Sequence, residues 1–134
     1  MSREILFRGK RTDKDEFAEG YFGVFKGVPQ IYVPFTEKEE KENEGHIFSA
    51  IGGLWHKVVP ETVGQYTNRD AANGKIFEGD ILQSPKGEIL VAAYAGTQFT
   101  LRQLNGRAKT WLHANSYRII GNKFDNPELL EVRR

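Results

Sequence analysis

Three histidines, His46, His56 and His113, and the carboxylates Glu61, Glu78 and Asp80 are the side chains here whose types suit acid/base or metal chemistry. A metal needs two or three such groups brought together, and the His-Glu-x-x-His spacing that sets two ligands on one helical face is absent. Glu61 and Asp80 would serve as a carboxylate pair for proton transfer. Each sits among turn residues, however, where a carboxylate accepts hydrogen bonds from free backbone N–H groups instead. Ser49-Ala50-Ile51-Gly52-Gly53 is not a hydrolase nucleophile elbow. Gly52-Gly53 runs into Leu54-Trp55 rather than into the Lys and Ser/Thr of a phosphate loop. The absence of cysteine removes thiolate nucleophiles, thiolate metal sites and disulfide scaffolds, and it suits a reducing cytoplasm. The reading is therefore no enzyme, no cofactor and no metal.

A second chemistry is carried by charge. From Ile89 through Phe124 there is no Asp or Glu, while Arg102, Arg107, Lys109, Arg118 and Lys123 alternate with Tyr94, Phe99, Trp111 and Tyr117. Arg or Lys on phosphates beside aromatic rings under bases is how β surfaces hold single strands and RNA. Arg102, Arg107, Lys109, Arg118 and Trp111 are the candidate contacts for nucleic acid within segment 89–124. Two facts weigh against it. Most aromatics of a small barrel must point inward, and 19 Lys+Arg against 18 Asp+Glu is no strongly basic footprint. The acid is concentrated at 36–45, five Glu and two Lys with no apolar residue. That stretch predicts a solvated loop, with at most one frayed helical turn; its functional alternative is a lure for a cation or a basic partner.

The elements that position these groups are strands. At 134 residues, 39% hydrophobic and 28% charged, the chain suits one compact domain or two small β units sharing a core. No apolar run approaches the ~20 residues of a membrane helix, and Arg3, Glu4, Arg8, Lys10 and Arg11 interrupt any signal segment. Period-2 alternation marks strands at 4–8, 21–25 and 28–33, the last two joined by a Lys26-Gly27 hairpin turn. Pro29 and Pro34 lack donors, which predicts that the third strand lies at a sheet edge or breaks early. Further strands follow at 55–59, 62–67, 75–77, 81–83, 88–94, 98–102, 109–113 and 117–120, with turns at Asn73-Gly74, Glu78-Gly79-Asp80, Lys86-Gly87, Gly96 and Asn105-Gly106. Asn126-Pro127-Glu128 has the order of a helix start and predicts one closing turn. Short, evenly spaced strands on tight turns define an all-β, mainly antiparallel barrel or sandwich.

Several runs carry a resemblance: Arg3-Glu4-Ile5-Leu6-Phe7-Arg8, Pro60-Glu61-Thr62-Val63-Gly64-Gln65-Tyr66-Thr67, Asn73-Gly74-Lys75-Ile76-Phe77-Glu78-Gly79-Asp80-Ile81, and Ile119-Ile120-Gly121-Asn122 followed by Asn126-Pro127-Glu128-Leu129-Leu130. In that order they span essentially the whole chain, which resembles the YopX family carried by phages and prophages. Where members usually have Thr-Gly after the tyrosine, this chain has Thr67-Asn68, and Asn tolerates the left-handed conformation such a turn needs. The acidic stretch is outside the shared pattern. The resemblance implies an N-terminal β-hairpin region over 1–60 and an SH3-like barrel over 61–134. It also implies self-association, and it supplies no biochemical activity.

Glu61, Gly64, Gln65, Tyr66, Gly79 and Asp80 are accordingly expected to be structural. Asp80 should accept hydrogen bonds from N–H groups that its turn leaves free. The expected partners are a second copy of the chain and a host or phage protein, with nucleic acid as the alternative and no membrane. The expected function is a self-assembling interaction module of the bacterial cytoplasm.

Overall fold

The computed structural model describes residues 4–42, 52–95, 97–104 and 106–131. Arg3, His46, Ser49 to Ile51, the end of the acidic stretch at 43–45, Gly96 and Asn105 lie outside the described residues. The protein is mostly antiparallel β, as the alternation predicts, and it divides into two compact units. One runs from Ile5 to Val63. The other runs from Gly64 onward and takes in Glu4.

In the first unit β1 (Phe7–Lys10), β2 (Phe17–Phe25), β3 (Val28–Pro34) and β4 (Gly53–Lys57) lie in the order β4-β3-β2-β1, each antiparallel to its neighbour. Lys26 (φ 52°) and Gly27 (φ 80°) both take the left-handed conformation of a two-residue hairpin loop, between the paired Phe25 and Val28. β3 is not an edge strand, because β2 and β4 flank it. Its prolines are tolerated by position. The Pro29 carbonyl accepts from Val58 N–H, so its missing donor faces Val58, beyond the last β3–β4 pair Gln30 and Lys57. Pro34 is the strand's last residue. One face of these strands buries Ala18, Ile31 and Val58 with Phe7, Val33 and Val63 packed against them.

The acidic stretch is helical over α1 (Glu37–Glu42). A reciprocal capping box starts it: Glu39 N–H donates to Thr36 Oγ1 at 3.2 Å, and Thr36 N–H donates to Glu39 Oε1 at 3.0 Å. The Thr-x-x-Glu spacing was the signal that distinguishes this segment from a featureless loop.

In the second unit β5 (Gly64–Ala71) and β6 (Gly74–Phe77) form a hairpin. Its two-residue loop is Ala72-Asn73, one residue earlier than the Asn-Gly dipeptide suggests, because the Asn73 amide has another task. It exchanges hydrogen bonds with the backbone of Ile119, at 2.9 and 2.8 Å. The remaining strands, β7 (Asp80–Gln83), β8 (Ile89–Ala95), β9 (Gln98–Gln103), β10 (Ala108–Lys109) and β11 (Arg118–Asn122), have the order β10-β9-β8-β7-β11. That order is compatible with a small SH3-like barrel. The strand expected at 109–113 stops at Lys109, and the chain enters a 3-10 turn at Ala114–Ser116. Ile76, Leu82, Leu90, Ala92, Leu101, Ala114 and Tyr117 form the core. The closing turn is 3-10, over Pro127–Leu130 with proline first, but Asn126 does not cap it. Its side chain turns back to accept from Asn122 N–H at 3.2 Å.

Candidate functional site

Among the described residues, the groups suited to acid/base or metal chemistry do not converge. His56, on β4, is half-buried, and burial followed by the Arg11 charge lowers its pKa. The carboxylates near it are already engaged by Arg11, whose guanidinium reaches Asp13 at 2.9 and 2.7 Å and Glu16 at 2.9 Å. His113 is exposed, and its carbonyl accepts from Ser116 Oγ and N–H. Among the described residues no three His, Asp or Glu side chains come together as a metal would require.

The motif residues differ in what they contact. Glu61 is exposed within a 3-10 turn over Pro60–Thr62, and the buried Thr62 beside it accepts from Lys10 N–H at 2.8 Å and donates to the Val59 carbonyl. Gly64 lies against the Glu78 carbonyl, where a Cβ would come within 2.7 Å, and the Gln65 carbonyl accepts from Glu78 N–H. Tyr66 is buried against Phe77, ring centroids 5.6 Å apart, and its hydroxyl donates to Asp70. Burial first, then that bond and the nearby acidic charges, push the phenol up to about 12. Gly79 (φ 95°) donates to the Ala92 carbonyl and accepts from Lys123 N–H, and Asp80 accepts from Phe77 N–H.

The cations of segment 89–124 do not form one stripe. Arg102 pairs across β9–β10 with Ala108, whereas Lys109 pairs with the buried Leu101, so the two side chains leave opposite faces of the ladder. Arg102 donates to the Gly106 carbonyl. Lys109 is held between both oxygens of Glu88 at 3.0 Å, which raises its pKa. Arg107 is exposed beside Gly106. Arg118 is exposed on β11, with β7 and β8 between it and β9. Trp111 packs on the core, its indole N–H donating to the Phe99 carbonyl.

The feature that sequence reasoning passed over is the outer face of the first unit. Opposite residues of an antiparallel ladder share a face, and Tyr21, Tyr32 and Trp55 are directly opposite one another on β2, β3 and β4. The next rows on that face are Gly23, Gln30 and Lys57, then Phe25 and Val28. The rings form a continuous chain: Tyr21 to Tyr32 at 6.5 Å, Tyr32 to Trp55 at 5.1 Å, Trp55 to Phe25 at 4.7 Å edge-on. Two glycines make room for it. A Cβ on Gly53 would meet the Tyr32 ring at 2.7 Å, and one on Gly23 would meet Phe25 and Trp55 at 3.2 Å. Tyr21 is 55% exposed, Phe25 48% and Trp55 41%. The signal was available: alternate positions of 21–25 and 28–32 carry large apolar side chains on both faces, and only one face can be core.

Fold and site together define a mostly antiparallel β protein that displays an aromatic sheet face to solvent. The family model described as YopX protein matches residues 7–131, nearly the whole chain, and the chain belongs to the YopX family. No curated protein matches it. No helix among the described residues is long and apolar enough to cross a membrane.

Proposed function

We propose that this phage-type protein is a self-assembling interaction module in which the outer face of β2, β3 and β4 meets the same face of a second copy. The observation that carries the reading is the chain of rings from Tyr21 through Tyr32 and Trp55 to Phe25. A buried aromatic contributes about 150–250 Å², so the exposed shares of Tyr21, Phe25 and Trp55 alone give on the order of 300 Å² of apolar surface. That is the scale of a functional patch and of the apolar centre of an interface burying ~800 Å² per partner. Lys57, on the end strand β4, supplies part of a polar rim, while Gln30 lies within the patch between Tyr32 and Val28.

Charge favours a protein surface over nucleic acid as the occupant. Residues 5–63 carry eight Lys or Arg against ten Asp or Glu, a balance of −2, whereas a phosphate-binding face is basic. A sheet face meeting its own copy needs only one two-fold axis to bury both patches. The test is sedimentation of the wild type and of a Tyr21→Ser/Trp55→Ser variant at micromolar concentration. The wild type should sediment as a multiple of 15.3 kDa and the variant as a folded monomer. A wild type that is monomeric throughout, or a variant that assembles equally well, overturns the reading.

A further inference from the structure

Strand β11 ends its sheet: β7 pairs with it on one side, and among the described residues no strand pairs with it on the other. An edge of this kind presents unpaired N–H and C=O groups. The loop between β5 and β6 covers it. Ala72 N–H donates to the Tyr117 carbonyl at 2.7 Å. Two residues along the same edge, Asn73 Nδ2 donates to the Ile119 carbonyl at 2.9 Å, and Asn73 Oδ1 accepts from Ile119 N–H at 2.8 Å. The Asn73 carboxamide thus stands in for the peptide group of a neighbouring strand.

The same carboxamide belongs to an Asn-Gly pair, and asparagine is a chemically labile residue. In its deamidation the Gly74 nitrogen attacks Asn73 Cγ. The N–Cγ bond forms, the Cγ–Nδ2 bond breaks, and ammonia leaves with the amide proton. Water then opens the cyclic imide, at one carbonyl to aspartate and at the other to isoaspartate. Gly74 has no side chain to obstruct the attack, and the space beside it is open. Asn73 and Gly74 are both exposed, so water reaches them and burial gives no protection. Attack requires the carboxamide to swing onto its own backbone, yet both of its polar atoms are held by Ile119. We propose that Asn73 is a deamidation site kept latent by this clasp, and that its conversion uncaps the edge of β11. Aspartate has no donor for the Ile119 carbonyl and sets a carboxylate oxygen against it. Isoaspartate also routes the main chain through Cβ and Cγ, which shifts the loop.

Peptide mapping by mass spectrometry tests this on the full chain, incubated at mildly alkaline pH either folded or in guanidinium chloride. Trypsin releases Asn73 in the peptide 70–75, apart from the second Asn-Gly pair at 105–106. Deamidation at Asn73 should be about tenfold or more slower in the folded protein, because it must wait for the clasp to open. Ile119→Pro removes the N–H that Asn73 accepts. That N–H points to Asn73 and not into the β7 ladder, so the variant should fold and deamidate at close to the denatured rate. Asn73→Asp is the product itself. It should leave hydrogen exchange in the core unchanged and speed exchange of the Ile119 N–H by about tenfold. Equal deamidation rates folded and denatured, or unchanged Ile119 exchange in Asn73→Asp, overturn the proposal. A folded Ile119→Pro that deamidates as slowly as the wild type also overturns it, because the protection then has another source. Should Ile119→Pro not fold, the exchange measurement on Asn73→Asp decides.

Discussion

The backbone N–H of Phe77 donates to Asp80 Oδ2 at 2.8 Å, and Asp80 is only 1% exposed. The bond spans Glu78-Gly79 and ties the end of β6 to the start of β7, with Gly79 in a conformation that residues bearing a Cβ avoid. Asp80→Ala removes this acceptor from a buried N–H, an expected loss of about 1–3 kcal/mol. Asp80→Asn retains a side-chain oxygen and should cost less. Thermal unfolding of the two variants side by side checks this. An unshifted Asp80→Ala curve would show that the carboxylate has some use other than holding the turn.

Asn68 is one of two non-glycine residues with positive φ among those described, at 63°. Its amide exchanges hydrogen bonds with the Glu4 backbone, accepting from the N–H at 3.0 Å and donating to the carbonyl at 3.0 Å. Asn68→Ala should lower the urea midpoint by the equivalent of about 1–2 kcal/mol, since it adds backbone strain and loses both bonds. Asn68→Gly relieves the strain and loses only the bonds, so its midpoint should fall between the two. Equal midpoints for Ala and Gly would mean that the left-handed conformation contributes nothing.

These two residues mark what the sequence makes legible. Asn68 sits inside β5 where the register with β6 shifts, and its bonds reach as far as Glu4, so the sequence shows only that it tolerates a left-handed conformation. Asp80 acts within a turn, and turn chemistry is local, so dipeptide and tripeptide patterns expose it. Lys26-Gly27 and the Gly87 turn are legible for the same reason. Pro29 misleads because the cost of a proline depends on which side of the strand its missing donor faces, and only the register with β4 settles that. Trp111 and Lys109 mislead because composition along a segment does not say which face a side chain leaves from. The aromatic face is divided between β2, β3 and a β4 that lies some twenty residues further on, so no single window contains it.

Thr36 and Glu39 make a pH-sensitive cap. Glu39 is held below its ordinary carboxylate value, first by the Thr36 N–H and then by the Thr36 hydroxyl. A depressed folded pKa means that the ionised form supports the cap. The support is complete above the ordinary value of 4.5 and is lost as pH falls through the lower, folded value. Carbon chemical shifts across residues 37–42 should therefore lose helical character in acid. In Thr36→Ala they should be less helical already at neutral pH.

Tyr66 titrates in the opposite sense. Its phenol is raised from 10.0 to about 12 by burial and by the bond to Asp70, so the fold favours the protonated form. Stability from this group is fully present below pH 10.0 and is lost as pH rises through the folded value. Ultraviolet difference titration should show a late ionisation step in the wild type that Tyr66→Phe removes. Retention of the late step in Tyr66→Phe would assign it to another tyrosine.

Gly23 separates the energetics of the fold from those of assembly. It lies mid-strand on the outer face of β2, and an added Cβ would approach Phe25 Cε2 and the Trp55 atoms Cη2 and Cζ3 at 3.2 Å. Both rings border solvent, so they can yield by the few tenths of an ångström required without disturbing Ile31 or Val58 on the buried face. Replacing a mid-strand glycine by alanine also removes backbone freedom from the unfolded chain, a gain of about 0.5–1 kcal/mol. Gly23→Ala should therefore unfold at the wild-type temperature or slightly above it. The same methyl pushes apart the two rings in closest contact, so under the proposed self-association the dissociation constant should rise by about tenfold or more. Sedimentation and calorimetry on the one variant read the two effects separately. A more stable fold with weaker assembly is the expected pair, and unchanged assembly would mean that the Phe25–Trp55 contact is outside the interface.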